Sequence, residues 1–385
     1  MKICGIICEF NPFHNGHEYL IKKAKELSGC DVVICIMSGC FTQRGDICIA
    51  DKFLRAKHAV LSGADCVLEL PSPFAVAPAE IFAEGAVKIL SAIPQIDTLA
   101  FGCESCNAED FFTAAQILLN ESANFKKILS DKLSSGESYI KSYITAFEAV
   151  GGNTEILSRP NNILGTEYAK SILKHNLKIK LLPVERVGSG YNDCGLKHNF
   201  SSASAIRCNL SSPLVKNNLP EYVFNDLNCF FGNTQKYEDY LKLILSRTEA
   251  KDLNKVYGCN EGLENALKSM QDLPFSEIIE KTTSKRYSSS RIKRILCANF
   301  LNLQQNETEN YLKSDLYLFP LAVRKEKADK IFSALGLSDF PLLTSGSDLN
   351  KLSPTALRCK NSDDFAYSQW RQITDACFSG KLLTI

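Results

Sequence analysis

Short, nearly continuous apolar runs alternate with amphipathic helical segments over residues 1–105, and this alternation constrains the fold more than any other feature. Such runs are typical of parallel strands that are buried on both faces of a sheet. The predicted strands span residues 3–8, 32–37, 66–70 and 98–101, and the predicted helices between them span residues 17–28, 51–61 and 80–90. A strand–helix–strand order implies right-handed crossovers. We therefore predict an α/β fold with a Rossmann-like parallel sheet that binds ligands at the carboxyl ends of its strands.

The pattern changes after residue 105. It predicts helical structure over residues 111–150 and 162–174 and one more strand over residues 177–184. After Pro213 the sequence shows only helical periodicity with polar loops. The chain length favours two domains. We predict an α/β domain over residues 1–210, followed by a mostly α-helical domain over residues 211–385.

The composition narrows the functional classes. The 385 residues carry a formal net charge of +1, so binding to nucleic acid would need a local basic patch. No apolar run approaches the roughly 18 residues of a membrane helix, and the first run breaks at Glu9 without a signal-peptide cleavage site. Most of the 16 cysteines lie in apolar runs, as expected of reduced thiols. We expect a cytoplasmic protein that is not associated with a membrane. Cys103 and Cys106 form a single CxxC pair, which is poor support for a zinc site.

Two histidines lie between the first predicted strand and the first predicted helix, in the turn His14-Asn15-Gly16-His17. Unpaired N–H groups at a helix start favour phosphate. Imidazoles there can donate to a triphosphate and stabilise the charge on departing pyrophosphate. The alternatives are polar turn residues or a stray metal pair, but the spacing excludes a metalloprotease helix. We therefore predict that His14 and His17 are catalytic residues at an ATP site, and we predict no metal site.

A serine-rich helix start at residues 201–207 is the second candidate phosphate site. The Ser202 hydroxyl can cap the helix or bind a phosphate, and Arg207 adds a charged fork one turn later. Alone, such a segment is most often an ordinary helix cap. Together with the histidine turn it matches the two phosphate-handling motifs of one superfamily, although Ala203 stands where that superfamily usually has a hydroxyl. We expect Ser202 and Arg207 to bind phosphates, with Arg207 as a catalytic residue.

Two further segments are candidate binding sites. Residues 38–46 combine two glycines, hydroxyls and Arg44, which suits a substrate or product loop and equally a surface loop. Residues 281–294 form a basic run with Tyr287 inside it and no acid, which suits RNA phosphates and an unstacked base, or else a solvated helix face. The candidate RNA-binding residues are Lys281, Lys285, Arg286, Arg291 and Arg294.

The motifs described above resemble those of a known family. The string at residues 5–17 is similar to the opening of the bacterial tRNA(Met) cytidine acetate ligases, which belong to the nucleotidyltransferase superfamily with an HxGH-type turn. Further matches follow in order at residues 41–45, 63–65, 69–71, 101–104, 159–165 and 202–207, and at 282–287 with Arg291-Ile292. The match is dense over the first 210 residues and sparse beyond them. It identifies residues 1–210 as a nucleotidyltransferase domain and residues 211–385 as a tRNA-binding domain.

The resemblance implies an ATP-dependent ligase that works in two steps. Acetate attacks the α-phosphate of ATP to give acetyl-adenylate, and the exocyclic amine of the wobble cytidine of elongator methionine tRNA then takes the acetyl group. Mg²⁺ is expected to accompany ATP, and the anticodon region of the tRNA is expected on the helical domain. The ATP contacts implied by the resemblance are Ile7, Cys8, Glu9, Phe10, Asn11, Pro12, Phe13, His14, Asn15, Gly16, His17, Glu18, Tyr19, Leu20, Gly102, Asn162 and Arg186.

Two other functions remain open from the sequence. One is an adenylyltransferase that acts on a small phosphorylated metabolite, although such chains are usually shorter and lack a large helical appendage. The other is a non-catalytic RNA-binding protein that keeps the nucleotide fold as a scaffold, against which the intact His14, His17 and Arg207 argue. No protein partner is evident from the sequence.

Overall fold

One sheet organises the part of the chain that the computed structural model describes, residues 1–104, 107–187, 195–231, 234–284, 286–376 and 380–385. Its strands in chain order are β1 (Ile3–Cys8), β2 (Val32–Ser38), β3 (Cys66–Leu70), β4 (Ile96–Cys103), β5 (Lys180–Glu185), β6 (Pro320–Val323) and β7 (Leu383–Thr384). They are ordered β5-β4-β1-β2-β3-β6-β7. Strands β5 to β3 are mutually parallel, β6 is antiparallel to β3, and β7 is parallel to β6. The order reverses between β1 and β4, which is where such sheets bind ligands.

The central strands are apolar throughout because both of their faces are covered. Alternate side chains of β2 enter two separate clusters, with Val32 and Ile34 on one face and Val33 and Cys35 on the other. This follows from the two-residue period of a strand. All seven residues of β2 are buried. The strands predicted from apolar runs are therefore confirmed for β1 to β4.

The helices in chain order are α1 (Asn15–Ser28), α2 (Lys52–Leu61), α3 (Ser72–Ala75), α4 (Ala79–Ser91), α5 (Ala108–Leu119), α6 (Ala123–Ser134), α7 (Tyr139–Ala149), α8 (Glu155–Ser158), α9 (Pro160–Lys174), α10 (Ala203–Cys208), α11 (Glu221–Asn225), α12 (Gln235–Arg247), α13 (Ala250–Leu253), α14 (Leu263–Ser269), α15 (Phe275–Thr282), α16 (Ser289–Phe300), α17 (Gln305–Lys313), α18 (Ala328–Leu335) and α19 (Pro354–Thr374). Asp51 caps α2 as predicted, since its side chain accepts from the N–H of Phe53. No helix in the ranges described has the length and apolar character that crossing a membrane requires.

The expectation of helices alone after Pro213 is wrong, because β6 and β7 extend the amino-terminal sheet. Strand β6 is four residues long and begins with a proline, which lacks the N–H needed inside a ladder but is tolerated at a first position. A run of four residues is too short to show a hydrophobic periodicity in the sequence. It is a strand because β3 offers it an open edge. Strand β5 also begins three residues later than predicted. The predicted domain boundary between residues 210 and 211 stays a prediction.

The helices after residue 234 pack around a second core and then return to the sheet. This core contains Leu241, Leu245 and Ile292. Helix α19 brings the chain back, where the indole N–H of Trp370 donates to the carbonyl of Cys48 at 2.8 Å. Next to it lies a fully buried ion pair, in which the Nζ of Lys52 is 2.6 Å from a carboxylate oxygen of Glu69. The helical part is thus fastened to the strands that carry the site.

Candidate active site

A cavity of about 470 Å³ opens at the carboxyl ends of β1, β4 and β5, where the strand order reverses. Its walls come from the loop after β1, the start of α1, the loop after β2, the end of β4, and the starts of α9, α10 and α16. The candidate site residues that line it are Ile7, Cys8, Glu9, Phe10, Asn11, His14, Gly16, His17, Tyr19, Leu20, Gly102, Arg186, Ser202, Arg207 and Arg294. The structure therefore brings the histidine turn and the serine-rich helix start to one cavity.

The two histidines cap α1 through a reciprocal pair of hydrogen bonds. The Nδ1 of His14 accepts from the backbone N–H of Gly16 at 3.0 Å, and the Nδ1 of His17 accepts from the backbone N–H of His14 at 3.3 Å. The rings stack with centroids 3.7 Å apart. A Cβ on Gly16 would lie 2.9 Å from the ring of His14, so glycine is needed there. Because a ring nitrogen that accepts cannot carry the hydrogen, both rings hold it on Nε2.

Both imidazoles are neutral in the free protein. Burial, together with the charges of Arg186 and Arg207, lowers the pKa of His14 to about 3. Burial also holds the pKa of His17 well below its usual range, helped by His14 and Arg186. The histidines are therefore hydrogen-bond donors without a charge of their own. The positive charge beside them belongs to Arg186 and Arg207, which also line the cavity and suit an anionic ligand.

Arg207 connects the serine-rich helix start to the loop after β1. Its Nη1 donates to the carbonyl of Asn11 at 2.6 Å, and its Nη2 donates to the hydroxyl of Ser204 at 3.2 Å. The hydroxyl of Ser202 accepts from the N–H of Ala205 at 3.1 Å, so it is an N-cap. It also lines the cavity.

Buried Arg55 fixes the two loops that form the cavity floor. Its guanidinium donates to the carbonyls of Glu9 at 2.5 Å and Ser38 at 3.2 Å, and also to that of Gly39. The loop after β1 is strained, since Phe10 has a φ of 50°. Fixed carbonyls on both sides make such a backbone tolerable at a functional site. In the sequence, the spacing of Lys52 and Arg55 indicates only that both could face the site, and it does not predict that Arg55 binds the carbonyls of two loops.

Several residues predicted to contact ATP lie outside the cavity wall. Asn162 is fully buried, and its Oδ1 accepts from the N–H of Glu104 at 3.0 Å. The cavity is lined by its neighbour Asn161 instead. Pro12, Phe13, Asn15 and Glu18 belong to the same turn but are likewise absent from the wall. Direct ATP contacts by these residues stay a prediction. The wall also contains residues that the sequence did not single out, among them Phe82, Tyr168 and Phe200.

The loop after β2 joins the cavity to the helical part of the chain. The carbonyl of Gln43 accepts from Arg294 on α16 at 3.2 Å, and the carbonyl of Gly45 accepts from Tyr237 on α12 at 2.8 Å. Gly45 has a φ of 78°, and a Cβ there would lie 2.5 Å from the backbone of Lys293. Only glycine allows this close approach. The loop therefore lines the cavity, and its use as a substrate or product loop stays a prediction.

Most of the predicted RNA-binding residues make contacts within the protein. Lys281 pairs with Glu277 at 2.7 Å and Arg286 with Glu261 at 3.1 Å, both on the surface. Arg291 donates to the carbonyl of Gly258 at 2.7 Å. Lys285 lies outside the described residues, as does Cys106 of the CxxC pair.

Arg294 is the only basic residue in the described part of the run that lines the cavity. Burial, together with the like charges of Arg291 and Arg44, lowers its pKa to about 10. Arg44 and Arg294 thus both line the cavity, and Arg291 lies near enough to Arg294 to affect its pKa. Such a concentration of positive charge favours an anionic ligand.

Comparisons with known proteins agree with this geometry. The family model described as HIGH Nucleotidyl Transferase matches residues 1–376. A tRNA(Met) cytidine acetate ligase from Clostridium novyi is 41% identical over 330 residues, 82% of each chain. The protein of the same name from Clostridium acetobutylicum is 36% identical over 91% of this chain and 92% of the relative. The crystal structure of apo Thermotoga maritima TmcAL covers 100% of both chains with a TM-score of 0.91 at 29% identity. A second form, bound with alpha-thio ATP, gives a TM-score of 0.86 at the same identity and coverage.

Proposed function

We propose a function from the family to which this chain belongs, the HIGH nucleotidyl transferases and among them the tRNA(Met) cytidine acetate ligases. The protein is an enzyme, an ATP-dependent ligase that joins acetate to the exocyclic amine of the wobble cytidine of elongator tRNA(Met). The observation that carries this proposal is the cavity at the reversal of the strand order, which combines two neutral imidazole donors with Arg186 and Arg207. We expect the enzyme to act in the cytoplasm, where its tRNA substrate is made.

In the first step, an oxygen of acetate attacks the α-phosphorus of ATP and pyrophosphate leaves. Acetate needs no general base, because it is already ionised at neutral pH. The Nε2–H groups of His14 and His17 donate to the triphosphate and to the charge that grows on the leaving group. Arg207 and Ser202 hold phosphate oxygens from α10. Magnesium would accompany ATP as part of the substrate and would screen the charge of its phosphates.

In the second step, the cytidine amine attacks the acetyl carbon of acetyl-adenylate and AMP leaves. Bases that react in this way are splayed out of the nucleic acid into a pocket. The cavity wall formed by Arg294 and the loop after β2 connects the adenylate site to the basic run. We place the anticodon stem-loop on this side. An adenylyltransferase for a small phosphorylated metabolite is not favoured, because relatives over most of the chain carry the ligase name.

The proposal is tested by two measurements on the purified protein. Acetate-dependent exchange of labelled pyrophosphate into ATP reports the first step without tRNA. Nucleoside analysis of bulk tRNA after incubation with ATP and acetate reports acetylated cytidine. Exchange that requires a phosphorylated metabolite instead of acetate would support the adenylyltransferase. Binding of tRNA with neither reaction would leave a non-catalytic RNA-binding protein.

We expect the double variant Lys281→Ala with Arg286→Ala to bind bulk tRNA more weakly and with less salt dependence. Both side chains pair with exposed glutamates, and such pairs are weak enough to exchange for phosphates. Each lost phosphate contact lowers the slope of log affinity against log salt by about one. Filter binding over a salt series measures this slope. The control Lys126→Ala with Lys127→Ala removes two exposed lysines from α6. Equal losses in both double variants would contradict a specific tRNA surface.

A further inference from the structure

The Glu9 carboxyl lies in the cavity, and the first step proposed above requires no proton transfer from it or to it. Three acidic residues line the cavity, namely Glu9, Asp46 and Glu185. Asp46 pairs with Lys293 at 3.3 Å, and Glu185 is an exposed residue at the end of β5. Within the described part of the chain, Glu9 makes no ion pair. It is therefore the inner carboxyl of the cavity, without a cation bound to it.

Hydrogen bonds hold both the side chain and the backbone of Glu9 in place. One oxygen, Oε1, accepts from the backbone N–H of Gln43 at 2.6 Å. The backbone carbonyl of Glu9 accepts from buried Arg55 at 2.5 Å. A carboxylate has about four sites for hydrogen-bond donors, so the second oxygen is available to a ligand. The side chain is thus fixed in position before any substrate enters.

Glu9 lies between the parts of the cavity that we assign to the two steps of the reaction. Glu9 precedes the histidine turn by five residues, on the loop that Arg207 contacts at Asn11. The residue that binds its side chain, Gln43, is in turn bound by Arg294 of α16. Glu9 therefore lies between the histidine turn and the side of the cavity that the helical part forms.

We propose that Glu9 binds the exocyclic amine of the acceptor cytidine and takes the proton that this amine loses during acetyl transfer. This inference rests on the proposed function. Carboxylates are suited to accept from the N4 amine of cytosine. A uridine presents a carbonyl oxygen at the same place, which offers no hydrogen to the carboxylate. Glu9 thus distinguishes cytidine from uridine as well as promoting the reaction.

The step balances in atoms and charge. The N4 nitrogen forms a bond to the acetyl carbon, and the bond from that carbon to the adenylate oxygen breaks. AMP leaves with the electron pair of the broken bond. One N4 proton moves to the Glu9 carboxylate, which releases it to water after the products leave. No further reactant is needed.

The surroundings of Glu9 raise the pKa of its carboxyl, which favours its use as a base. Burial raises its pKa, and Asp46 raises it further, while the N–H of Gln43 and the charges of Arg207 and Arg44 lower it. Cys48 and Tyr168 also face the carboxyl. A base is most effective when its pKa lies close to the working pH. Below that raised pKa the carboxyl is protonated and cannot accept, so acetyl transfer rises as pH increases through it and then levels.

The variant Glu9→Gln tests the proposal, because glutamine can still accept from Gln43 but cannot take a proton. Hydroxylamine trapping measures the acetyl-adenylate that each protein forms, and rapid quenching measures acetylated cytidine in tRNA. We expect transfer per trapped adenylate to fall by about 10²-fold or more in this variant, and its pH profile to become flat. The control Glu109→Gln removes an exposed carboxylate from α5. Glu9→Asp keeps a carboxylate at a shifted position, so we expect slower transfer with the pH dependence retained.

The outcomes separate this inference from the proposed function. Wild-type protein that yields neither trapped adenylate nor acetylated cytidine overturns the proposed function and the role of Glu9 together. Wild-type protein that transfers acetyl while Glu9→Gln matches it in rate and pH profile overturns only the role of Glu9. Equal losses of trapping and transfer would place Glu9 in the ATP site, which also contradicts the proposal. If Glu9→Gln fails to fold, loss of pH dependence in Glu9→Asp overturns it.

Discussion

Replacing His17 by asparagine is expected to lower acetate-dependent pyrophosphate exchange by about 10²-fold or more and to leave the fold intact. The Oδ1 of asparagine can occupy the position of Nδ1 and accept the backbone N–H of His14, so the cap on α1 survives. What disappears is the Nε2–H donor, which is aimed at charge that develops as pyrophosphate leaves. Exchange kinetics measure the loss, and thermal unfolding checks the fold.

The matched variant His17→Gln separates the two functions of this ring. Its amide nitrogen reaches further, close to the position of Nε2, but glutamine places no acceptor at the position of Nδ1. We expect lower thermal stability than in His17→Asn, because the cap is lost, together with higher exchange activity, because a donor returns. Full exchange activity in His17→Asn would remove His17 from the chemistry. Parallel losses of stability and activity in both variants would make the ring a structural cap only.

Replacing Lys52 by methionine is expected to lower the free energy of unfolding by about 3–5 kcal/mol, the usual effect of leaving a buried charge without its partner. Both side chains of the Lys52–Glu69 pair are 2% exposed. The Nζ of Lys52 also lies 4.6 Å from the ring of Tyr367 on α19. The variant therefore weakens the attachment of this helix to the strands under the site. Urea titration followed by fluorescence measures the loss, since Trp370, the one tryptophan of the chain, is buried on the same helix.

The double variant Lys52→Met with Glu69→Met removes both charges and serves as the control. Replacing a buried pair by apolar residues of similar volume is often neutral or stabilising. We therefore expect the double variant to recover most of the stability that the single variant loses. A single variant as stable as the wild type would show that Glu69 is solvated or protonated without consequence. A double variant no better than the single one would assign the loss to packing rather than to charge.

The sequence carried enough information for the strands that hold the site, because they are buried on both faces and read as apolar runs. It also placed His14 and Gly102 at strand ends, where the cavity lies. Strand β6 escaped prediction because its four residues depend on a partner, β3, that is distant in the chain. Local patterns cannot report such pairings.

The cavity wall was less predictable than the cavity floor. Arg294 contacts Gln43, which is 251 positions away in the chain, and no pattern in either segment predicts that contact. The basic run contains no acidic residue, but Glu277 and Glu261, which lie outside it in the sequence, form ion pairs with two of its members. Asn162, which rested on the family resemblance alone, is buried behind the wall. Periodicity and motif spacing describe one segment at a time, whereas the wall is made where segments meet.

The central claim is that an oxygen of acetate attacks the α-phosphorus of ATP and that the acetyl group then passes to a cytidine. Acetate labelled with heavy oxygen tests this most directly, with mass spectrometry of the AMP and of the tRNA nucleosides after a complete reaction. We predict AMP that carries one heavy oxygen, in an amount equal to the acetylcytidine formed. Unlabelled AMP, or ADP and phosphate as the nucleotide products, would contradict it.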